Sequence, residues 1–195
     1  MYTVSHIALD PAWVQSALMT SQFERPRAPR SWTPLSWHSE ARFSTLGAGI
    51  IKPLVDQMAN RHKGYTLDRW WLNVTAPGLD FGQHQHGTNM ISMVYYLQVP
   101  PMSGNIELLD PATDTWVEYE PRAGDLLEFD GMIHHRVKKN LSDDIRISLA
   151  LNVIDQQTAR KDAMINRSKL TKLPADISIE DAYPLINSTR HKGTM

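Results

Sequence analysis

The stretch Gln83-His84-Gln85-His86-Gly87-Thr88 sets two imidazoles two residues apart, and a second pair, His134-His135, follows about fifty residues later. On a strand, residues i and i+2 share a face, so His84 and His86 can converge on one point. That is metal-ligand spacing. Strand ends also carry histidines by chance, and an HxH pair alone has a high false-positive rate, so the rest of the chain must decide its meaning. The sequence has no cysteine, which removes thiolate ligands, a Cys nucleophile and a disulfide framework. Any metal must be held by histidine and oxygen.

Positioning such a site needs a rigid scaffold, and the 195 residues suffice for one domain with a substantial core. The formal net charge of -1, with Lys and Arg scattered, gives no electrostatic footprint of a nucleic-acid binder, so nucleic acid is disfavoured as a partner. No apolar run approaches the ~20 residues that span a bilayer, and the N-terminus lacks a basic region followed by an apolar one. The expectation is a soluble, cytoplasmic protein with no membrane partner, for which a homodimer is left open.

Residues 1–44 hold four prolines and three tryptophans (Trp13, Trp32, Trp37) in aperiodic order, which reads as an irregular segment pinned by aromatic anchors. Over 45–63, Ile50, Leu54 and Met58 recur at helical spacing beside Ile51 and Val55. Pro53 suits a first turn and Gly64 a stop, so one amphipathic helix is predicted. Beyond Gly64 come short β-branched and aromatic runs: RWWLNVT, NMISMVYYLQV, NIELLD, WVEYE, DLLEFD, HHRVKK and IRISLALNVI. Turn clusters such as APGLD, PPMSGN, DPATD, PRAGD and NLSDD separate them. Seven closely spaced strands predict a mainly β sandwich or barrel over 69–154. Residues 155–195 read as a C-terminal extension, helical at first and then a loose tail or flap. His84 and His86 would end the segment that begins at Trp70, and His134-His135 would open the strand HHRVKK.

Taken together, these segments resemble an iron(II)/2-oxoglutarate-dependent oxygenase, best its small bacterial and phage prolyl-hydroxylase-like branch, over about residues 70–154. NVTAPGLDFGQHQH is similar to the lead-in that precedes the family's H-x-D pair in its nucleic-acid demethylases. MVYYLQ resembles a strand whose second tyrosine, here Tyr96, reaches the far carboxylate of 2-oxoglutarate. GDLLEFDGMIHHRV resembles the block whose ligand is the histidine two before the valine, His135. RISLALNV resembles the strand whose arginine, Arg146, binds the oxoacid, with Ser148 on the same face. The resemblance implies a double-stranded β-helix of the jelly-roll or cupin-like type, preceded by a helix and flanked by irregular N- and C-terminal extensions. It further implies Fe(II) and 2-oxoglutarate as cofactors, metal ligands His84, His86 and His135, and an oxoacid site of Arg146, Ser148, Tyr96 and Asn73.

What such a site does follows from its chemistry. Three protein ligands on one face of iron leave positions for a bidentate oxoacid and dioxygen. A buried carboxylate costs several kcal/mol unless charge and hydrogen bonds meet it, which an arginine fork does best. The implied reaction converts 2-oxoglutarate to succinate and hydroxylates, or otherwise oxidises, an unactivated C–H bond of a small molecule or peptide side chain. The chain departs from the pattern at His86, where the family has Asp or Glu, leaving the ferrous site one unit more positive. Three readings stand: a working three-histidine site, a two-histidine site completed by water or a distant oxygen, and a degenerate barrel. Two other functions remain alongside: a three-histidine cupin-type dioxygenase without 2-oxoglutarate, and a non-catalytic β-sandwich binding module.

Each candidate also has a plainer role. His134 could be the ligand in place of His135, although strand neighbours face opposite ways. Arg146 could be a surface charge near Asp143 and Asp144, but a lone arginine ahead of ISLALNVI favours an inward task. Tyr95 and Tyr96 suit a core equally well, and Asn73 could merely cap a bend. Thr75 stands where the demethylase pattern has tyrosine.

Overall fold

A computed structural model describes residues 1–10, 12, 14, 52–161 and 164 of the chain. The three tryptophan anchors, the predicted helical residues 45–51 and the tail 165–195 lie outside the described residues. In chain order the elements are β1 (Tyr2–His6), α1 (Lys52–Arg61), β2 (Tyr65–Thr75), β3 (Phe81–His84), β4 (Met90–Gln98), β5 (Ile106–Asp110), β6 (Thr115–Tyr119), β7 (Asp125–Asp130), β8 (His135–Val137) and β9 (Arg146–Asp155). A short helical stretch at 156–161 follows β9. The strands form two antiparallel sheets, β1-β7-β4-β9-β2 and β3-β8-β5-β6. This is the double-stranded β-helix, or jelly roll.

Strict alternation gives the five-stranded sheet two unlike faces. On its outer face Ile147, Leu149, Leu151 and Val153 of β9 pack with Met93, Tyr95 and Leu97 of β4 and with Leu54 and Met58 of α1. Each such side chain contributes ~1.5–3 kcal/mol when removed from water. Pro53 lies in the first turn of α1, where a missing N–H costs nothing, and Gly64, at φ 88°, takes the left-handed conformation just past its end. The end of α1 is tied to the sheet by buried Glu128 of β7, which meets Arg61 Nη2 at 2.5 Å and His62 Nε2 at 3.0 Å. The inner face of β9 instead carries Arg146, Ser148, Ala150 and Asn152, all buried.

The structure corrects two strand assignments. Residues 2–6 are not irregular: they form an edge strand paired with β7 from Tyr2↔Phe129 to His6↔Asp125. Its side chains are mostly exposed or half-buried, so no apolar alternation marks it, and main-chain pairing plus the contact of His6 Nδ1 with Asp125 Oδ1 (3.3 Å) holds it in place. The predicted turn APGLD separates β2 from β3, a short strand outside the predicted set. The chain turns at Pro77-Gly78, with Gly78 at φ 81°, and crosses to the other sheet, where β3 begins at Phe81. The strand HHRVKK shrinks to His135–Val137.

Candidate active site

His84 closes β3 and His135 opens β8, and the two are register partners in the four-stranded sheet. Their ring centroids lie 4.1 Å apart. His135 Nδ1 lies 3.0 Å from the Ile133 carbonyl, and His84 Nδ1 lies 2.9 Å from the Gly82 carbonyl. A carbonyl only accepts, so each Nδ1 carries a proton and donates it, which leaves Nε2 as the nitrogen that can offer a lone pair to a metal. That is how metal-binding imidazoles are oriented in advance.

His86 arrives by a different route from the one its spacing implies. It lies beyond the end of β3, on a connection whose His86 and Gly87 N–H groups donate to the Gly131 carbonyl at 2.8 and 3.2 Å. Its ring sits 5.3 Å from that of His84, 5.1 Å from that of His135 and 5.7 Å from Trp71. The three residues bring one potential ligand nitrogen each to within 4.8 Å of one another. Burial, then the neighbouring His84 and Arg69, push the pKa of His86 down to about 3, and burial with the adjoining histidines holds His135 well below the ordinary range. His86 and His135 are therefore neutral nitrogen donors at ordinary pH. Three imidazoles suit iron, and equally zinc, copper or nickel. His134 is outside this group.

Between the sheets, next to these rings, lies a pocket open to solvent at its mouth. Trp71, Phe81, Val94, Ile106 and Val137 supply its apolar wall, and Asn73, His84, Tyr96, His135, Arg146 and Ser148 its polar groups. Six of the seven predicted site residues thus line one space, while His86 stands beside Trp71 next to it. Asn73, Ser148 and Tyr96 form one cross-strand row through the registers Asn73↔Ser148 and Tyr96↔Ser148. Tyr96 is buried, and burial raises its pKa, so its hydroxyl stays protonated and able to donate.

Arg146 is 2% exposed at the far end of this pocket. Its Nη1 donates to the Gly104 carbonyl at 2.7 Å and its Nη2 to Thr75 Oγ1 at 3.4 Å, while Nε is buried without a hydrogen-bond partner. Among the described residues no carboxylate pairs with it, and burial lowers its pKa somewhat without discharging a guanidinium. A buried cation lacking an anion is costly, and a ligand carboxylate offsets that cost. The residues present therefore fit an oxoacid.

Three contributors escaped the sequence reading. Thr75 and Gly104 brace the guanidinium, and Gly104 (φ 94°) has room for nothing larger, since a Cβ there meets the Lys138 carbonyl oxygen at 2.1 Å. Gly131 braces His86. Only the departure of Thr75 from tyrosine gave a signal, because bracing through carbonyl oxygens leaves no mark in side-chain type.

A family model described as "Putative 2OG-Fe(II) oxygenase" matches residues 69–152. No curated protein matches the chain. Among solved structures, it is similar to the non-heme alpha ketoglutarate dependent epimerase SnoN from nogalamycin biosynthesis, with TM-score 0.61 and 16% identity over 79% of this chain and 77% of that one. The carbocyclase SnoK from the same biosynthesis gives TM-score 0.60 and 15% identity over 79% of each chain. An oxidoreductase of the 2OG-Fe(II) oxygenase family from Burkholderia pseudomallei gives 0.60 and 13% over 79% of this chain and 84% of that one. At such identities the likeness is one of fold.

Proposed function

We propose that this chain, whose residues 69–152 match the family model described as "Putative 2OG-Fe(II) oxygenase", is an iron(II)- and 2-oxoglutarate-dependent dioxygenase that hydroxylates an unactivated C–H bond of a small molecule or peptide side chain. The observation that carries the reading is Arg146, a buried cation with an unpartnered Nε, at one end of a pocket whose other end meets three convergent histidines.

In this reading His84, His86 and His135 hold the metal, and Arg146 receives the far carboxylate of 2-oxoglutarate through Nε and its remaining N–H groups. Tyr96 donates its hydroxyl proton to the same carboxylate, with Ser148 beside it, and Asn73 offers an amide toward the end nearer the metal. Phe81, Val94, Ile106 and Val137 exclude water, which strengthens each of these polar contacts. When bound, iron and 2-oxoglutarate would supply the oxidising power, with two electrons from 2-oxoglutarate and two from the substrate for each dioxygen reduced.

Arg146 also separates this reading from a cupin-type three-histidine dioxygenase that binds its organic substrate directly, because such an enzyme has no use for a buried guanidinium. Hydroxylation is the outcome proposed here; structures of the same fold named as an epimerase and a carbocyclase mark other outcomes for comparison. The test is anaerobic titration of the protein with iron(II) and then 2-oxoglutarate, followed by oxygen and measurement of succinate. One metal and one 2-oxoglutarate per chain, with succinate formed only when both are present, is the expected result. Metal binding without 2-oxoglutarate binding would transfer the assignment to the cupin type.

A further inference from the structure

We infer that the substrate of this site presents a carboxylate, received by Arg69 and Asn152 on the side of the metal centre opposite Arg146. The inference rests on the oxygenase reading above and adds the class of substrate.

Arg69 faces inward because of a β-bulge. The β2–β9 register shifts between Leu67 and Arg69, so Asp68 is the extra residue. Leu67 packs on the outer apolar face, whereas Arg69, two residues before the pocket-lining Trp71, shares the inner face. Its register partner on β9 is Asn152, and the partner of Asn152 on β4 is Ser92. Arg69, Asn152 and Ser92 thus form a polar row across three strands, and Phe129, the β7 partner of Ser92, extends it to the ring of His135, 4.8 Å away. The row of Asn73, Ser148 and Tyr96 lies two rows further in, toward Arg146. The two polar rows therefore sit at opposite ends of the inner face.

The hydrogen bonds define what this row offers. Arg69 Nε is held by Asp68 Oδ2 at 3.0 Å, which leaves the two Nη groups without a partner among the described residues. Asn152 accepts at Oδ1 from Ser92 Oγ (3.3 Å), so its amide nitrogen is the end left to donate, although the residue is 3% exposed. Donors are available and the acceptor is used, which selects a ligand that only accepts.

Charge points the same way. His86 replaces a carboxylate ligand by a neutral ring and removes the negative charge that would repel an anion at this spot. Trp71, two residues from Arg69 on the same face of β2, holds its ring 5.7 Å from that of His86, which puts Arg69 on the His86 side of the inner face. Asp68 already offsets part of the arginine charge, so the row suits a monoanion with two oxygens better than a phosphate dianion.

The experiment uses protein saturated with nickel(II), a redox-inert stand-in for iron, and 2-oxoglutarate. Calorimetry then compares benzoate with benzamide, acetate with acetamide, and benzoate with phenyl phosphate. The expected result is at least tenfold tighter binding of a carboxylate than of its amide. Arg69→Gln and the isosteric Asn152→Asp should each reduce that preference at least tenfold while nickel and 2-oxoglutarate still bind. Equal binding of acid and amide in both pairs overturns the inference, as does a preference for phenyl phosphate or a preference that survives either substitution. A variant that loses nickel binding reports on folding, and the wild-type comparison then decides alone. Failure of wild type to take up nickel or 2-oxoglutarate counts against the oxygenase reading instead.

Discussion

His84 and His135 face each other across the β3–β8 ladder with ring centroids 4.1 Å apart, and each donates Nδ1–H to the carbonyl two residues before it in the chain. Two lone pairs are thereby oriented by backbone before any metal arrives, which lowers the ordering cost of binding. His84→Ala and His135→Ala should each weaken nickel or iron binding at least tenfold. Chelator should lower the melting temperature of the metal-loaded wild type, because a ligand of the folded state stabilises it by mass action. Wild-type metal stoichiometry and affinity in both variants would refute the ligand assignment.

His86 separates metal holding from coupling. His86→Ala replaces a ligand by water and should lower metal affinity clearly. His86→Asp supplies a carboxylate in a setting built for a neutral ring, so it should retain iron while forming less product per succinate. Iron content and the succinate-to-product ratio across the three proteins decide. An Ala variant matching wild type in both makes the site a two-histidine one.

Gly131 accepts from His86 N–H, and a Cβ placed on it would stand 2.7 Å from the Gly87 carbonyl oxygen. Gly131→Ala must therefore displace the connection that carries His86. Overpacking of this kind costs ~1–3 kcal/mol. Metal affinity should drop tenfold or more in a protein that still unfolds cooperatively; unchanged affinity would mean that His86 adapts freely.

Arg146→Ala should weaken 2-oxoglutarate by ~3–5 kcal/mol, the usual cost of leaving a buried charge unpaired, while metal still binds. Arg146→Lys keeps the charge but loses the planar fork and should fall between. Calorimetric 2-oxoglutarate affinities in the nickel-loaded proteins check this, and an unaltered value in the Ala variant removes the oxoacid site.

The metal-free protein should lose stability in acid. The pKa of His86 falls from 6.5 to about 3 on folding, and that of His135 is lowered too. Between those limits the unfolded chain binds protons that the folded chain refuses, so stability is full above pH ~6.5 and declines as pH falls toward about 3. The slope is on the order of 1 kcal/mol per pH unit for each ring. Urea unfolding in chelator at pH 8, 6.5 and 5 measures it, and His86→Gln should flatten it; a stability independent of pH over this range contradicts the burial of these rings.

Much of this was legible in residue order. The β-branched and aromatic runs MISMVYYLQ and RISLALNVI announce strands, and a lone arginine in phase with Ser148 announces an inward polar task, because side-chain type and period are local properties of a strand. Helical spacing marked Leu54 and Met58 for the same reason. What pairing decides was not legible. β1 is an edge strand held by main-chain bonds to β7, and main-chain bonds carry no side-chain signature. His86 looked like a strand neighbour of His84, yet it reaches the same point from beyond the strand, braced by a glycine 45 residues further along the chain. The row of Arg69, Asn152 and Ser92 draws on three strands and exists only because a bulge at Asp68 reverses the alternation of β2. Residue types and local periods follow from sequence; which distant strands lie side by side, and where a register slips, depends on the free energy of the whole sandwich.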